Sequence, residues 1–399
     1  MQAQTTHILF VDDEPRILDG LRQSLRAKRK VWSMVFAESG ALALEHLKQV
    51  SFDIIVSDMR MPVMDGAEFL SRAAVVQPQA ARIVLSGQMD EASTTRAATV
   101  AHRFLAKPCD HEVLEATIES TLRLESLLNS ARIRSCVSGM AKLPSLPKAC
   151  VALNQTLKND RTPVEAVVRI IESDMGMASK VLQLVNSSFF GLNRTIASIT
   201  QAVSYLGLNT LRHLVFAESM FQEFRGTDLP SFEREQSRLL LCARIARELL
   251  TDKAMRETAA TVALLHDVGS LVLADRLADE HRDIRALAVG RGIPLYQAES
   301  ECLGTTHAEI GAYLLGLWGL PHDVIEPVAC HHAPWKTVES LDVGASVRIA
   351  DALATSLQSG EQEASLHFAP PPPELLDRLG VTELLARLGD QLRTNLPLS

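Results

Sequence analysis

The sequence predicts a chain in two unlike parts, a doubly wound α/β sheet over the first 125 residues and an all-α bundle over most of the rest. Three observations carry that expectation. Short apolar runs alternate with helical patterns up to about residue 110, helical start and stop signals then follow one another with no convincing strand between Leu143 and Leu357, and 399 residues at roughly 150 per domain make two or three cores. Hydrophobic residues at 47 % and charged residues at 22 % exclude a largely disordered or collagen-like chain.

Strands are placed at His7–Val11 (HILFV), Phe52–Val56 (FDIIV), Arg82–Leu85 (RIVL) and Arg103–Leu105 (RFL), with a weaker one at Val31–Ala37. Runs this apolar are buried on both faces, as in a parallel sheet covered by helices, and Ala41–Leu47 and Ala67–Val75 carry the intervening helical spacing. From Asp110 the pattern is helical only. Glu112–Cys136 places Leu114, Ile118, Leu122, Leu124, Leu127 and Leu128 along an amphipathic connector, which also offers an apolar face to a second copy of the chain. Thr162-Pro163-Val164-Glu165 reads as a capping box; Ser198-Ile199-Thr200-Gln201 starts a helix that Gly207 ends; Thr306-His307-Ala308-Glu309 starts one that closes near Gly319 and Pro321. Pro370–Pro373 is stiff and extended, and a leucine-rich helical segment, Glu374–Leu396, follows it. The expected boundaries are 1–125 for the α/β domain, 126–142 for a helical linker, 143–357 for the helical domain (143–230 and 231–357 as its two parts) and 358–399 for the proline-rich linker and tail.

Lys and Arg number 40 against 48 Asp and Glu, a formal charge of −8, so no overall positive field gathers nucleic acid or an anionic bilayer. The basic run Arg22, Arg26, Lys28, Arg29 and Lys30 is accounted for by cations in the last turn of a helix. The longest apolar stretches, such as Thr261–Leu265, fall far short of the ~20 residues of a membrane span, and the N-terminus lacks the charged start and apolar run of a signal peptide. The expectation is a cytoplasmic protein with no membrane or nucleic acid partner. The six cysteines lack a C-x-x-C pair and read as buried thiols.

Polar residues cluster where the apolar runs end: Asp12 and Asp13 after HILFV, Asp58 after FDIIVS, Ser86 after RIVL, Lys107 after RFLA. In a parallel sheet these ends open on one crevice. Three carboxylates there repel one another unless a cation sits among them, and hard oxygen ligands favour Mg²⁺. A lysine and a hydroxyl supply what a transferred phosphoryl group needs, a positive charge and a hydrogen-bond donor, which leaves Asp58 as the nucleophile.

The region from about Thr6 to Leu124 resembles the receiver domain of two-component response regulators, a flavodoxin-like five-stranded fold. The motifs are Val11-Asp12-Asp13-Glu14-Pro15, Ser57-Asp58-Met59-Arg60-Met61-Pro62-Val63-Met64-Asp65-Gly66, Leu85-Ser86-Gly87 and Phe104-Leu105-Ala106-Lys107-Pro108. The resemblance implies that Asp58 accepts phosphate from a sensor histidine kinase. It further implies that Asp12, Asp13, Asp58 and the main-chain carbonyl of Arg60 hold Mg²⁺, that Lys107 binds the phosphoryl group, and that Ser86 and Phe104 form the switch pair.

The helical half carries His266-Asp267, His307, His331-His332 and Asp351, a ligand set for Mn, Fe or Zn that could activate water; the same residues also suit helix caps and buried hydrogen bonds. Their order resembles the metal site of the HD superfamily, with departures. No histidine stands in Arg234-Glu235-Gln236-Ser237-Arg238, where the first of the series belongs; Ser270 replaces a frequent lysine; and Ala333-Pro334-Trp335 lacks the Gly-Tyr-Pro segment of cyclic diguanylate phosphodiesterases. Leu143-Pro144-Ser145-Leu146-Pro147, Ile171-Glu172-Ser173-Asp174-Met175, Leu182–Gly191, Ser198–Gly207 and Trp318-Gly319-Leu320-Pro321 together resemble the HDOD domain from about Leu143 to Leu357. That resemblance implies a signalling output that works by binding an unidentified downstream protein. The alternative reading is a phosphorylation-gated HD metallophosphohydrolase acting on cyclic dinucleotides or nucleotides.

Overall fold

The computed structural model describes residues 6–87, 100–125, 128, 130–138, 140, 144–145, 147–157, 162–186, 195–216, 222–223, 229–358 and 370–395. Five parallel strands, β1 (Thr6–Val11), β2 (Trp32–Ala37), β3 (Ile54–Asp58), β4 (Ala81–Ser86) and β5 (Arg103–Ala106), pair in the order β2-β1-β3-β4-β5. Every residue of β3 and β4 is buried, as the continuous apolar runs require of a sheet covered on both faces. Among the described residues its helices are α1 (Pro15–Ser24), α2 (Gly40–Gln49), α3 (Gly66–Val76) and α4 (His111–Glu125). The register sets Val11 beside Ser57 and Asp58 beside Leu85, so the reactive ends of β1, β3 and β4 lie at one edge.

The helical part continues through α5 (Ala131–Ser138), α6 (Pro147–Leu157), α7 (Val164–Glu172), α8 (Met175–Val185), α9 (Ile199–Phe216) and α10 (Leu229–Leu249). It then runs through α11 (Lys253–Leu265), α12 (Val268–Arg276), α13 (Ala278–Arg291), α14 (Leu295–Leu303), α15 (His307–Leu317), α16 (His322–Ala329) and α17 (Val343–Gln358), and ends in α18 (Pro373–Leu379) and α19 (Thr382–Asn395). Helix α8 is buried along its whole length, and α15 is buried but for Glu309. One apolar core is continuous from the sheet, through Leu114 and Ile118 of α4, into this bundle. The apolar stretch Lys253–Arg276 is long enough to cross a membrane, but 78 % of its 18-residue apolar window is buried inside the protein.

Several local expectations change. The expected connector is two helices, because Ser130 opens α5 by accepting from the Ile133 amide. Thr162 does not cap α7; its hydroxyl donates to the Thr156 carbonyl, and Pro163 holds the cap position. The helix from Ile199 does break at Gly207, whose φ 74° and ψ 155° are non-helical, and a second helical stretch of α9 runs on to Phe216, while Gly380 divides the tail helix. Pro144–Ser145 and Gln222–Glu223 form a short parallel pair, β6 and β7, where no strand was expected. Of the five cysteines whose side chains are described only Cys242 is buried, while Cys302 and Cys330 are exposed.

Candidate functional sites

At the sheet edge, Lys107 Nζ lies 2.7 Å from Asp12 Oδ2 and 2.5 Å from Asp58 Oδ1. Both carboxylates are buried and further held by main chain: the Glu14 amide donates to Asp12 Oδ1 and the Arg60 amide to Asp58 Oδ2, each at 2.9 Å. Burial pushes the Asp58 carboxyl up against the pull of Lys107. Burial also opposes the Lys107 charge, but its hydrogen bonds to Asp12 and Asp58 win and raise its pKa. Asp13 stands half-buried beside Asp12, Ser86 ends β4 with its hydroxyl on the Gly87 carbonyl, and Phe104 is buried on β5. The structure thus draws Asp12, Asp58 and Lys107 into direct contact, sets Asp13, Arg60 and Ser86 at the same strand ends, and places Phe104 two residues before the end of β5. Chemically this is a pair of buried carboxylates bridged by one fixed cation.

In the helical domain the six expected residues do converge. His266 and Asp267 form the corner between α11 and α12, His307 opens α15 behind the Thr306–Glu309 capping box, His331 and His332 follow α16, and Asp351 lies on α17. Gly269 is required here: a Cβ on it would lie 1.9 Å from the His307 carbonyl oxygen, so α12 and α15 meet backbone to backbone. His266 Nδ1 and His331 Nδ1 bond the carbonyls of Ala263 and Val328 at 2.8 and 2.7 Å, and His307 Nδ1 bonds Glu299 Oε2 at 2.6 Å. Each ring therefore turns Nε2 inward, toward Asp267: 3.2 Å for His266, 3.1 Å for His307 and 3.5 Å for His331. Tyr296 stacks on His332.

Sequence reasoning missed the centre of this cluster. The guanidinium of Arg238, on α10, bonds both Asp267 and Asp351, and Nη2 reaches Glu235 Oε1 at 2.6 Å. Burial disfavours its charge, but Glu235, Asp351 and Asp267 outweigh that and hold the guanidinium protonated. Burial likewise opposes protonation of His266 and His307, and the neighbouring carboxylates override it, raising both to about 10. Burial keeps His331 and His332 neutral. A visible signal existed, an arginine immediately before the apolar run Leu239-Leu240-Leu241-Cys242 and just past the expected histidine; Glu299, fully buried on α14, gave none.

A third arrangement joins the two domains. Arg103 Nη2 donates to the Gly316 carbonyl at 2.7 Å, and Nη1 to Ser120 Oγ of α4 at 3.1 Å. Leu124 of α4 fills the space beside Gly316, where a Cβ would meet it at 2.5 Å. The fully buried Arg82 of β4 donates through Nη2 to the Ser138 carbonyl at 2.7 Å, and Ser138 Oγ lies 3.2 Å from the Tyr313 hydroxyl. Helix α15 therefore begins in the histidine cluster at His307 and ends against the α/β domain at Gly316.

Residues 8–119 match the response regulator receiver domain family, and residues 143–334 match the HDOD domain family. An uncharacterized protein of Treponema pallidum is 27 % identical over 195 residues, 48 % of this chain and 37 % of that protein. The transcriptional regulatory protein GlrR of Escherichia coli is 33 % identical over 139 residues, 34 % of this chain and 31 % of that protein. The chain spans less than half the length of either relative. Among solved structures, the MmoQ response regulator of Methylococcus capsulatus superposes with a TM-score of 0.49 at 24 % identity, over 62 % of this chain and 97 % of that one.

Proposed function

Because this chain carries a response regulator receiver domain joined to an HDOD domain, we propose that it is a two-component response regulator whose Asp58 accepts a phosphoryl group from a sensor histidine kinase. An Asp58 carboxylate oxygen attacks phosphorus, the P–N bond of the kinase phosphohistidine breaks as a P–O bond forms, and the imidazole leaves. The observation that carries this reading is the contact of Lys107 with both Asp58 and Asp12 at the sheet edge. Asp12, Asp13, Asp58 and the Arg60 carbonyl suit Mg²⁺, since an all-oxygen, carboxylate-rich donor set is what a hard divalent cation takes. Bound there, Mg²⁺ would neutralise charge on the phosphoryl oxygens. Lys107 orients the phosphoryl group, and Ser86 and Phe104 report its arrival to β5.

From β5 the signal would pass to the HDOD domain through Arg103 and α4 to α15, and the output would be the binding of a downstream protein. The same reading implies a cytoplasmic protein and allows a homodimer. Hydrolysis is the weaker reading, because Arg238 already bonds Asp267 and Asp351, the two carboxylates among the six residues that would hold a metal there. Acetyl phosphate with Mg²⁺ should add one phosphoryl group to the chain by intact mass, and Asp58→Asn should abolish it. Persistent labelling of that variant would refute the assignment.

A further inference from the structure

The HD resemblance implies a divalent metal at the histidine cluster, and the residues present do not fit one. Two donor groups meet here: His266, Asp267 and Asp351, whose two carboxylates the guanidinium of Arg238 already bonds, and Asp267, His307, His331 and His332, in which Asp267 offers its other oxygen, Oδ1. The Arg238 side chain is 4 % exposed, with Glu235 closing a third side, so the charge is enclosed. A divalent ion beside it would face a fixed like charge in a medium of low dielectric. The remaining nitrogens are arranged for a proton: His307 Nε2 and His332 Nε2 lie 2.7 Å apart, a hydrogen-bond distance. Two nitrogens on one tetrahedral ion with ~2.05 Å bonds would be about 3.3 Å apart.

We propose that Arg238 takes the place of the metal: its guanidinium is the permanent cation of the site, bonding Asp267 and Asp351 so that α10, the α11–α12 corner and α17 are clasped without an ion. The sequence difference that removes a metal ligand near Gln236 and the side chain that replaces the ion thus lie within two residues of each other on α10. The clasp belongs to the helical domain and stands whether or not Asp58 accepts phosphate.

The test is metal binding by the full-length chain in an Asp13→Asn background, which weakens the sheet-edge site, after chelator treatment. Mn²⁺ and Zn²⁺ are titrated separately by calorimetry, and bound metal is counted by mass spectrometry. With Arg238 in place, neither ion should occupy the cluster. Arg238→His, which sets an imidazole on α10 beside the two carboxylates, should bind one equivalent at least a hundredfold more tightly, and adding Asp351→Asn should remove it. Folding of the Arg238→His chain only when Mn²⁺ is added, seen by circular dichroism, would support the proposal equally. One equivalent of metal on the Arg238 chain that Asp267→Asn abolishes would overturn it, as would an Arg238→His chain that takes up no metal, folded or not.

Discussion

Replacing Arg103 by methionine keeps the aliphatic stem and deletes the guanidinium that ties the receiver to the Gly316 carbonyl. Among the described residues it makes two hydrogen bonds: the one to Ser120 lies within the receiver and is present whether or not the domains are docked, and the one to Gly316 crosses between them. A hydrogen bond from a charged donor is worth ~1.5–3 kcal/mol net. Part of that loss is returned, because burial already lowers the Arg103 pKa to about 10, so its charge sits in an unfavourable medium. The lower half of the range, ~1.5–2 kcal/mol, raises the undocked population roughly 10- to 30-fold at ~1.4 kcal/mol per decade. Native-state hydrogen exchange over residues 111–125 and 307–317 measures this directly. Protection at the Gly316 end of α15 and the Leu124 end of α4 should fall by that factor in Arg103→Met and remain unchanged in Ser120→Ala. Equal protection in the wild type and Arg103→Met would refute the contact as a determinant of docking.

Arg238→Met should destabilise the helical domain by ~3–5 kcal/mol in urea unfolding, because Asp267, Asp351 and Glu235 are left near one another without their buried counter-charge; unchanged stability would mean that the carboxylates are not held by Arg238. Gly269→Ala should cost ~1–3 kcal/mol or more, since its methyl must displace the His307 backbone; an unchanged melting curve would contradict the close approach of α12 and α15. His102 is buried and held neutral, first by burial and then by the Arg82 charge, so its folded pKa lies well below the unfolded value. Below about pH 6.5 the unfolded chain takes up a proton that the folded chain refuses, so stability should fall with acidification by up to ~1.4 kcal/mol per pH unit and be insensitive to this group above that pH. Unfolding free energies between pH 5 and 7.5 should flatten in His102→Gln, and an identical slope would rule the residue out.

The receiver half is the more legible in sequence, for a physical reason. Buried parallel strands leave near-continuous apolar runs, and their reactive side chains fall at strand ends, where the backbone alone sets convergence: Asp12, Asp58 and Lys107 needed no knowledge of packing. The histidine cluster is legible only as a set, because each member sits at a helix end or corner whose meeting depends on helix packing. Arg238 was in plain view as an arginine, but which residue of α10 meets Asp267 and Asp351 is decided by the packing of α10 against α11 and α17. The Arg103–Gly316 contact joins residues 213 apart and has no local signal. The connector shows the opposite error, where helical periodicity overrode the local capping chemistry of Ser130.

On the proposed reading, the state of Asp58 reaches the HDOD domain along α15. This is tested most directly by hydrogen exchange over residues 307–317 in the full-length chain, with and without acetyl phosphate and Mg²⁺, and with phosphate occupancy read by intact mass in the same sample. Exchange across this helix should change in proportion to occupancy in the wild type and not at all in Asp58→Asn. Full phosphorylation of Asp58 with an unaltered α15 would contradict it.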